Sequence, residues 1–114
     1  MKCLVTGGAG FIGSNIVKKL NCESYDLKSG KDILDKSELK IALNDIDFVF
    51  HAAAKISVPE SQEQPELYQR VNVEGTKNIV KLSNAKLIFS SSAAVYGEYT
   101  RKVSESDTLN PESN

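Results

Sequence analysis

A glycine-rich run near the start of the chain has the residue types of a phosphate-binding turn. The segment from Gly8 to Gly13 fits the pattern G-x-G-x-x-G, and Gly7 extends it to G-x-x-G-x-x-G. Glycines at these positions allow a tight turn and a close approach of backbone N–H groups to a pyrophosphate. A merely flexible turn is the alternative, so the interpretation depends on the elements around the motif.

An acidic residue follows at the distance that dinucleotide binding requires. Asp26 lies 19 residues after Gly7, where a carboxylate would hydrogen-bond the adenosine ribose and repel the 2′-phosphate of NADP. A solvent-exposed loop acid is the alternative interpretation. Lys28 and Lys31 could offset the repulsion, so NAD is favoured and NADP stays open. A P-loop is excluded, because no G-x-x-x-x-G-K-[ST] pattern occurs.

The glycine run lies where a predicted strand passes into a predicted helix. Lys2 to Thr6 is a short apolar run that suits a buried parallel strand. A helix then follows, ending near Asn21, and its apolar face is predicted to carry Ile12, Ile16, Val17 and Leu20. Ser24 to Leu27 is predicted to form a second strand, with Asp26 at its end.

The remaining elements continue the alternation of strands and helices. A capping box from Asp35 to Glu38 opens a short helix, and Asp47 to Phe50 is predicted to be the third strand. Ser57 to Gln64 is polar and contains a proline, which indicates a loop with at most a helical turn. The last two predicted elements are a helix from Pro65 to about Ser83, with one apolar side, and a fourth strand, Lys86 to Phe89. This order predicts an α/β fold of the Rossmann type, a parallel sheet with helices on both faces.

Composition excludes several classes of function. The 114 residues fit one domain, and 14 Lys+Arg against 15 Asp+Glu give a net charge of -1. That balance argues against nucleic-acid and membrane partners, and no apolar stretch approaches a bilayer span. Cys3, Cys22 and the lone His51 lack metal-site spacing, so no metal is expected. Glycines come too early for a signal peptide, and two free thiols would then indicate a cytoplasmic protein.

Four ordered segments together resemble one enzyme family. They are Thr6 to Ser14, His51 to Ser61, Asn72 to Thr76, and Phe89 to Gly97. Each is similar to a motif of the extended short-chain dehydrogenase/reductases, the NAD-dependent epimerase/dehydratase group. Within it, the chain most resembles the nucleotide-sugar epimerases, with the UDP-glucose 4-epimerases first among them.

The resemblance implies a cofactor-binding role for each matched position. The residues implied to hold the pyrophosphate of NAD are Gly7, Gly10, Phe11, Ile12 and Gly13. Asp26 would bind the adenosine ribose, and Asp32 and Ile33 would contact the adenine. The residues implied along the rest of the groove are Ala52, Ala53, Ala54, Asn72, Ser90 and Ser91, the two serines lying beside the nicotinamide ribose. A partly exposed helical position is the alternative for Asn72.

The resemblance also implies a catalytic hydroxyl and a UDP-sugar substrate. Ser92 would hydrogen-bond the sugar hydroxyl that is oxidised, and the intact enzyme would be a homodimer. The general base of the family is the tyrosine of a Tyr-x-x-x-Lys pair, and no tyrosine of this chain has a lysine four residues later. We expect that pair and the substrate-binding half beyond Asn114, so residues 1–114 would be an NAD(P)-binding domain without activity of its own.

The chain departs from the family pattern between the second and third predicted strands. No apolar run lies between Asp26 and the third strand, where the family has an additional strand. We therefore expect four strands in the order 2-1-4-5 of the family scheme, with the usual third strand missing or reduced.

Three other functions share some of these residues. A free-standing NAD-binding or sensor module would share the glycine turn and Asp26, and a nucleotide-sugar dehydratase or reductase would share all four segments. Both stay open on the residues alone. Serine hydrolysis by His51 and Ser90 to Ser92 is disfavoured, because the G-x-S-x-G elbow and a clear acid partner are missing.

Overall fold

The computed structural model describes residues 1–112 and alternates strands with helices. The strands are β1 (Cys3–Thr6), β2 (Glu23–Tyr25), β3 (Phe48–His51) and β4 (Lys86–Phe89). The helices are α1 (Phe11–Leu20), α2 (Lys36–Ala42), α3 (Val58–Glu63), α4 (Pro65–Tyr68), a π-helical segment (Gln69–Glu74) and α5 (Gly75–Leu82). Short 3₁₀ turns occupy Leu27–Ser29 and Ala93–Tyr96.

The four strands form one parallel sheet in the order β2-β1-β3-β4. This is the predicted 2-1-4-5 order, with the family's additional strand absent from the described residues. The chain between β2 and β3 instead forms a 3₁₀ turn and the short helix α2. In a parallel sheet the carboxyl ends of all strands meet at one edge, and that edge is the expected place for a ligand.

Local signals end and begin the helices as the sequence predicts. Asn21 adopts a left-handed conformation (φ 53°) at the end of α1. The Asp35 carboxylate accepts the N–H groups of Ser37 and Glu38 at the start of α2. Ser57 to Gln64 is mostly helix α3 and not the predicted loop, because Ser57 caps it and the proline lies in its first turn, where its missing N–H is harmless.

The core lies between the middle strands and the helices α2 and α5. Leu4, Val49, Leu39 and Ile79 are fully buried there. The predicted helix after Pro65 is continuous through α4, the π-helical segment and α5, and its predicted apolar side faces this core. A side chain at Gly75 would meet the Ile33 side chain, which would have to shift to make room for it.

Burial is uneven on the edge strand β4 and on α1, where the expected apolar face is only partly buried. Helices cover β1 and β3, but every residue of β4 is exposed, and Phe89 keeps 55% of its surface. On α1, Ile16 and Val17 are half-buried, whereas Ile12 and Leu20 are exposed. Within the described residues, β4 is an edge strand that pairs with β3 alone.

The expectation of two free thiols is wrong. Cys3 and Cys22 are joined by a disulfide, with their Cα atoms 4.9 Å apart. Leu4 pairs with Glu23 in the parallel ladder, so the preceding cysteines lie opposite each other although 19 residues separate them. The argument from free thiols to a reducing compartment therefore fails. Among residues 1–112, no helix has the length and apolarity to cross a membrane.

Candidate functional site

Two adjoining clefts lie along the carboxyl edge of the sheet. The first, of about 700 Å³, runs from Gly7 to Asp26 and Ile33. The second, of about 530 Å³, runs from Ile12 to Ser90, Ser91 and Ser92. Residues 52–57 line both clefts, so together the clefts form one groove with this segment as its floor.

The glycine turn leaves no room for side chains. Gly7 has φ +72°, and a Cβ there would lie 2.8 Å from the Ala53 backbone nitrogen. A Cβ on Gly13 would lie 2.0 Å from the Gly7 carbonyl oxygen. Gly7 and Gly10 line the first cleft, whereas Gly13 is buried beneath the turn. The glycines therefore bring β1, α1 and the groove floor into contact, as the motif predicts.

The amino terminus of α1 is open toward the groove. No side chain caps this helix, and no acidic residue occupies its first turn. The free N–H groups of the first turn and the helix dipole favour an anion at this point. Ile12 lines the second cleft, whereas the Phe11 side chain is 89% exposed and lines neither cleft. The fit to a pyrophosphate comes from the backbone of this turn.

Asp26 lies against the glycine turn, directly after β2. One carboxylate oxygen accepts the Ala9 N–H at 3.0 Å, and the other accepts the Lys28 N–H at 2.9 Å. These two bonds orient the carboxylate at the wall of the first cleft. Each oxygen has a further lone pair with which to accept a ribose hydroxyl.

The two lysines near Asp26 differ in where their charges lie. The Lys31 ammonium pairs with Glu38 at 3.2 Å and lies 5.7 Å from the centre of the Tyr25 ring. The Lys28 side chain has no ion-pair partner among the described residues. Glu38, which the sequence analysis considered only as part of a capping box, therefore holds one of these two cations in an ion pair.

The next wall of the first cleft is formed by residues after β2. Asp32 accepts the Leu34 N–H at 2.9 Å with its carboxylate, and its carbonyl accepts the Tyr25 hydroxyl at 3.1 Å. Burial, followed by the charges of Glu38, Asp35 and Asp32, raises the pKa of Tyr25 to about 12. Ile33 is buried and presents an apolar surface to the cleft. The predicted pair Asp32 and Ile33 therefore lies beside Asp26.

Ala52, Ala53 and Ala54 follow β3 and form the start of the groove floor. Asn72 holds this floor, because its carboxamide accepts the Lys55 N–H at 2.8 Å and donates to the Lys55 carbonyl at 2.9 Å. It also lines the second cleft. Asn72 is thus a backbone clamp inside the π-helical segment, a role that the sequence analysis did not include.

The three serines lie at the far end of the groove, after β4. Ser90 continues the sheet by donating its N–H to the His51 carbonyl at 3.1 Å, and Ser91 follows it into the second cleft. The Ser92 hydroxyl oxygen accepts the Ala94 N–H at 3.1 Å and caps the 3₁₀ turn. Its hydroxyl hydrogen has no acceptor assigned and can donate to a ligand in the cleft.

Two groups of functional candidates escaped the sequence analysis. The first is Lys55, Glu60 and Tyr68, where Glu60 accepts from Lys55 at 3.1 Å and from the Tyr68 hydroxyl at 2.7 Å. These bonds lower the pKa of Glu60. The second is the polar pair Thr6 and Thr76 around His51. No pattern of spacing signals these contacts, because their partners come from different elements.

The described residues contain no group of three or more His, Cys, Asp or Glu side chains placed to hold a metal ion. Beside the glycine turn, the first cleft instead offers backbone amides, the oriented carboxylate of Asp26 and the apolar surface of Ile33, which suit an adenosine diphosphate group.

The sequence profile of the NAD dependent epimerase/dehydratase family matches residues 3–114. This chain belongs to that family. The match covers the whole of the groove, from the glycine turn to the serines after β4.

Individual members of the family resemble the chain over most of its length. A putative UDP-glucose 4-epimerase of Methanocaldococcus jannaschii is 40% identical over 95% of this chain and 44% of its own length. A UDP-N-acetyl-alpha-D-glucosaminuronate decarboxylase of Bacillus cytotoxicus is 33% identical over 93% of this chain and 41% of its own.

A solved family member has the same fold. The crystal structure of UDP-glucose 4-epimerase from Brucella ovis in complex with NAD superposes with a TM-score of 0.89 at 35% identity. The superposition covers 98% of this chain and 42% of that one. The chain therefore spans less than half the length of the family members that it matches.

Proposed function

We propose that this chain is the NAD-binding portion of a nucleotide-sugar epimerase, with UDP-glucose 4-epimerase as the activity of the longer protein. The observation that carries the proposal is the continuous groove, with the glycine turn and Asp26 at one end and Ser92 at the other. The relatives named above support it, since one is crystallised with NAD and two are named as UDP-glucose 4-epimerases.

The residues of the first cleft fit the adenosine diphosphate half of NAD. The uncapped first turn of α1 would hold the pyrophosphate through backbone N–H groups. Gly7 and Gly13 support this arrangement by letting β1, α1 and the groove floor pack closely around the turn. Asp26 would accept the ribose hydroxyls. Asp32 and Ile33 would flank the adenine, with the buried isoleucine supplying the apolar surface.

The residues of the second cleft fit the nicotinamide half and the sugar. Ser90 and Ser91 would lie beside the nicotinamide ribose, and Ser92 would orient the sugar hydroxyl that loses its hydrogen. When bound, NAD supplies the acceptor for the hydride of the sugar carbinol and returns it to the opposite face of the keto sugar.

The proton of that hydroxyl needs a base that residues 1–114 do not offer in the family's pattern. The four tyrosines are followed at the fourth position by Ser29, Asn72, Thr100 and Val103, none of which is lysine. Ser92 can orient a hydroxyl but cannot hold its proton at neutral pH. We therefore propose that these residues alone bind NAD and interconvert no nucleotide sugar.

The test uses the 114-residue chain and a longer protein that includes the coding sequence downstream of Asn114. The chain should bind NAD and leave UDP-glucose unchanged, whereas the longer protein should convert UDP-glucose to UDP-galactose. In the longer protein, Ser92→Ala should lower turnover by roughly 10²-fold, while Ser92→Thr, which keeps a hydroxyl, should retain most of it.

Each outcome separates this proposal from a competitor. NAD binding without activity in the longer protein would favour a sensor module. Loss of water from UDP-glucose would favour a dehydratase, and release of CO2 when a UDP-uronic acid is supplied instead would favour a decarboxylase. Epimerisation by the 114-residue chain itself would show that the base lies within it.

A further inference from the structure

His51 is the single histidine of the chain and is buried at the end of β3. Only 2% of its surface is exposed, and both ring nitrogens have hydrogen-bond partners within the protein. Nδ1 lies 2.7 Å from the Thr6 hydroxyl oxygen, and Nε2 lies 2.8 Å from the Thr76 hydroxyl oxygen. The ring therefore bridges β1 to α5 through two hydrogen bonds.

The neighbouring bonds decide which ring nitrogen carries the hydrogen. The Thr76 hydroxyl donates its one hydrogen to the Asn72 carbonyl at 2.7 Å, so toward His51 it can only accept. Nε2 must then be the N–H, and Nδ1 accepts from the Thr6 hydroxyl. The Thr6 oxygen in turn accepts the Ala53 N–H at 3.3 Å. The hydrogen bonds therefore form one chain, in which each group donates to the next: Ala53 N–H to Thr6, Thr6 to His51, His51 to Thr76, and Thr76 to the Asn72 carbonyl.

Both ends of this network hold the floor of the groove. At one end Thr6 holds Ala53, and at the other Asn72 clamps the backbone of Lys55 with two hydrogen bonds. The first part of the floor, residues 52–55, contains both of these attachment points and lines both clefts. The His51 ring makes no hydrogen bond to residues 52–55 itself. It is linked to them through Thr6 on one side and through Thr76 and Asn72 on the other.

We propose that His51 is a positioning residue for the cofactor groove. Its neutral Nε2–H form orders residues 52–55, and protonation of the ring releases this segment and weakens NAD binding. The second part of this inference rests on the proposed binding of NAD, whereas the first part does not.

Protonation disrupts the network because it adds a hydrogen where an acceptor is needed. A second N–H at Nδ1 would point at the Thr6 hydroxyl, whose own hydrogen would lose its acceptor. The ring is faced by Thr6 from β1, Thr76 from α5 and Phe89 from β4, none of which titrates in the neutral range or carries a charge. Without a neighbouring carboxylate, burial lowers the pKa of His51 below its usual range.

The direction of the pH effect follows from that lowered pKa. Above about pH 6.5, where histidine is neutral in the unfolded chain as well, the network is intact and its contribution to stability is complete. As the pH falls below that value toward the lower pKa of the folded protein, stability is lost. NAD affinity should stay constant above this range and fall below the folded pKa, approaching tenfold per pH unit.

The test combines two measurements on the 114-residue chain. Nitrogen NMR of the single histidine reports its tautomer and its titration without assignment ambiguity, and NAD titrations from about pH 5 to pH 8 report affinity. We expect the Nε2–H form at neutral pH, with NAD affinity falling in step with imidazole protonation. In His51→Gln, whose side chain does not titrate, NAD affinity should not follow that curve.

Amide hydrogen exchange provides the readout that needs no ligand. Ala53 and Lys55 should be protected at neutral pH and lose protection as His51 becomes protonated, whereas the amides within β1 should not change. Thr76→Val should remove protection at Lys55, and Thr76→Ser, which keeps the hydroxyl, should restore it. These variants test the network even if His51→Gln fails to fold.

Specific results would overturn the inference. A neutral ring in the Nδ1–H form, or protection at Ala53 and Lys55 that is unchanged while His51 titrates, would show that the ring does not order the floor. Absence of NAD binding at neutral pH would contradict the proposed function and leave the exchange result to decide the positioning role.

Discussion

The two clefts of the groove are built from different kinds of contact. Both clefts share the floor after β3. The first adds Gly7, Gly10 and part of the segment from Tyr25 to Leu34, and its acid Asp26 is held by two backbone N–H groups. The second is formed by residues after β3 and β4, and its outer wall, Phe89 with Ser90 to Ser92, is exposed. The acid in the wall of the first cleft is therefore held by backbone hydrogen bonds, whereas the outer wall of the second is left exposed.

This difference indicates that the wall peculiar to the first cleft is local in the sequence, whereas the wall peculiar to the second is assembled from separate elements. In the first cleft, residues 7–34 supply the turn, the acid and an apolar wall, and residues 52–71 supply the floor and further lining. In the second, Asn72 and Thr76 come from a helix, the serines from a strand end, and the floor depends on His51.

A side chain in the glycine turn should cause the largest loss of stability, and it should disturb the wall of the first cleft. In Gly13→Ala the new methyl group would lie 2.0 Å from the Gly7 carbonyl, so α1 must move away from β1. We expect a loss of about 3 kcal/mol or more in the free energy of unfolding, measured with urea.

Gly30→Ala is the matched control for that change. Gly30 has φ +76° but nothing within 4 Å of a new Cβ, so it should cost only about 1–2 kcal/mol from its left-handed backbone. Equal losses in the two variants would show that the turn tolerates a side chain and that the first cleft is less tightly built.

Asp26 should make the first cleft selective for NAD over NADP by at least about tenfold, or ~1.4 kcal/mol. Its carboxylate would bond the ribose hydroxyls of NAD and repel the 2′-phosphate of NADP. Asp26→Asn should reduce this selectivity, because it lowers the affinity for NAD and removes the repulsion of the NADP 2′-phosphate. Titration with each cofactor measures both affinities.

Asp45→Asn is the control, because Asp45 is an exposed turn residue with φ 58°, a conformation that asparagine also adopts readily. It should leave the selectivity unchanged. Equal affinities of the unaltered chain for the two cofactors would mean that Asp26 does not bind the ribose.

ADP-ribose should bind residues 1–114 almost as tightly as NAD, within about threefold, or ~0.7 kcal/mol. It lacks only the nicotinamide, which would lie in the second cleft against exposed walls that bury little surface. Calorimetric titration with both ligands measures the ratio. A preference for NAD well above tenfold would contradict the contrast drawn between the clefts.

The smallest change in cofactor selectivity is expected from substitution of Lys31. Because its ammonium is paired with Glu38 and both side chains are about 40% exposed, it should contribute little at the ribose. Lys31→Met should alter the ratio of NAD to NADP affinity by less than about threefold. Lys28→Met, which removes the other nearby cation, is the comparison. A large change in Lys31→Met alone would show that Lys31 leaves Glu38 to meet the 2′-phosphate.

Much of the fold could be predicted from the sequence, because it rests on signals within a few residues. The glycine turn between β1 and α1, the stop at Asn21 and the parallel order of the strands are all confirmed. The pattern of apolar residues failed to predict burial at Ile12 and Leu20 on α1, because burial there depends on distant segments.

The candidate site likewise has a part that could be predicted from local sequence and a part that could not. Asp26 could be placed beside the glycine turn from the spacing alone, because two parallel strands joined by one helix must end at the same edge of the sheet. The hydrogen bonds that His51 makes with the hydroxyls of Thr6 and Thr76 could not be predicted from amino-acid type and spacing.

The tertiary structure alone decided the contacts between groups far apart in the chain. Thr6 meets Ala53 across 47 residues, Asn72 clamps Lys55 across 17, and His51 reaches Thr76 across 25. The disulfide between Cys3 and Cys22 belongs to the same class. These contacts depend on the register of neighbouring strands and on the rotation of a helix about its axis. Both are set by how the whole core packs, and local sequence contains no direct record of that packing.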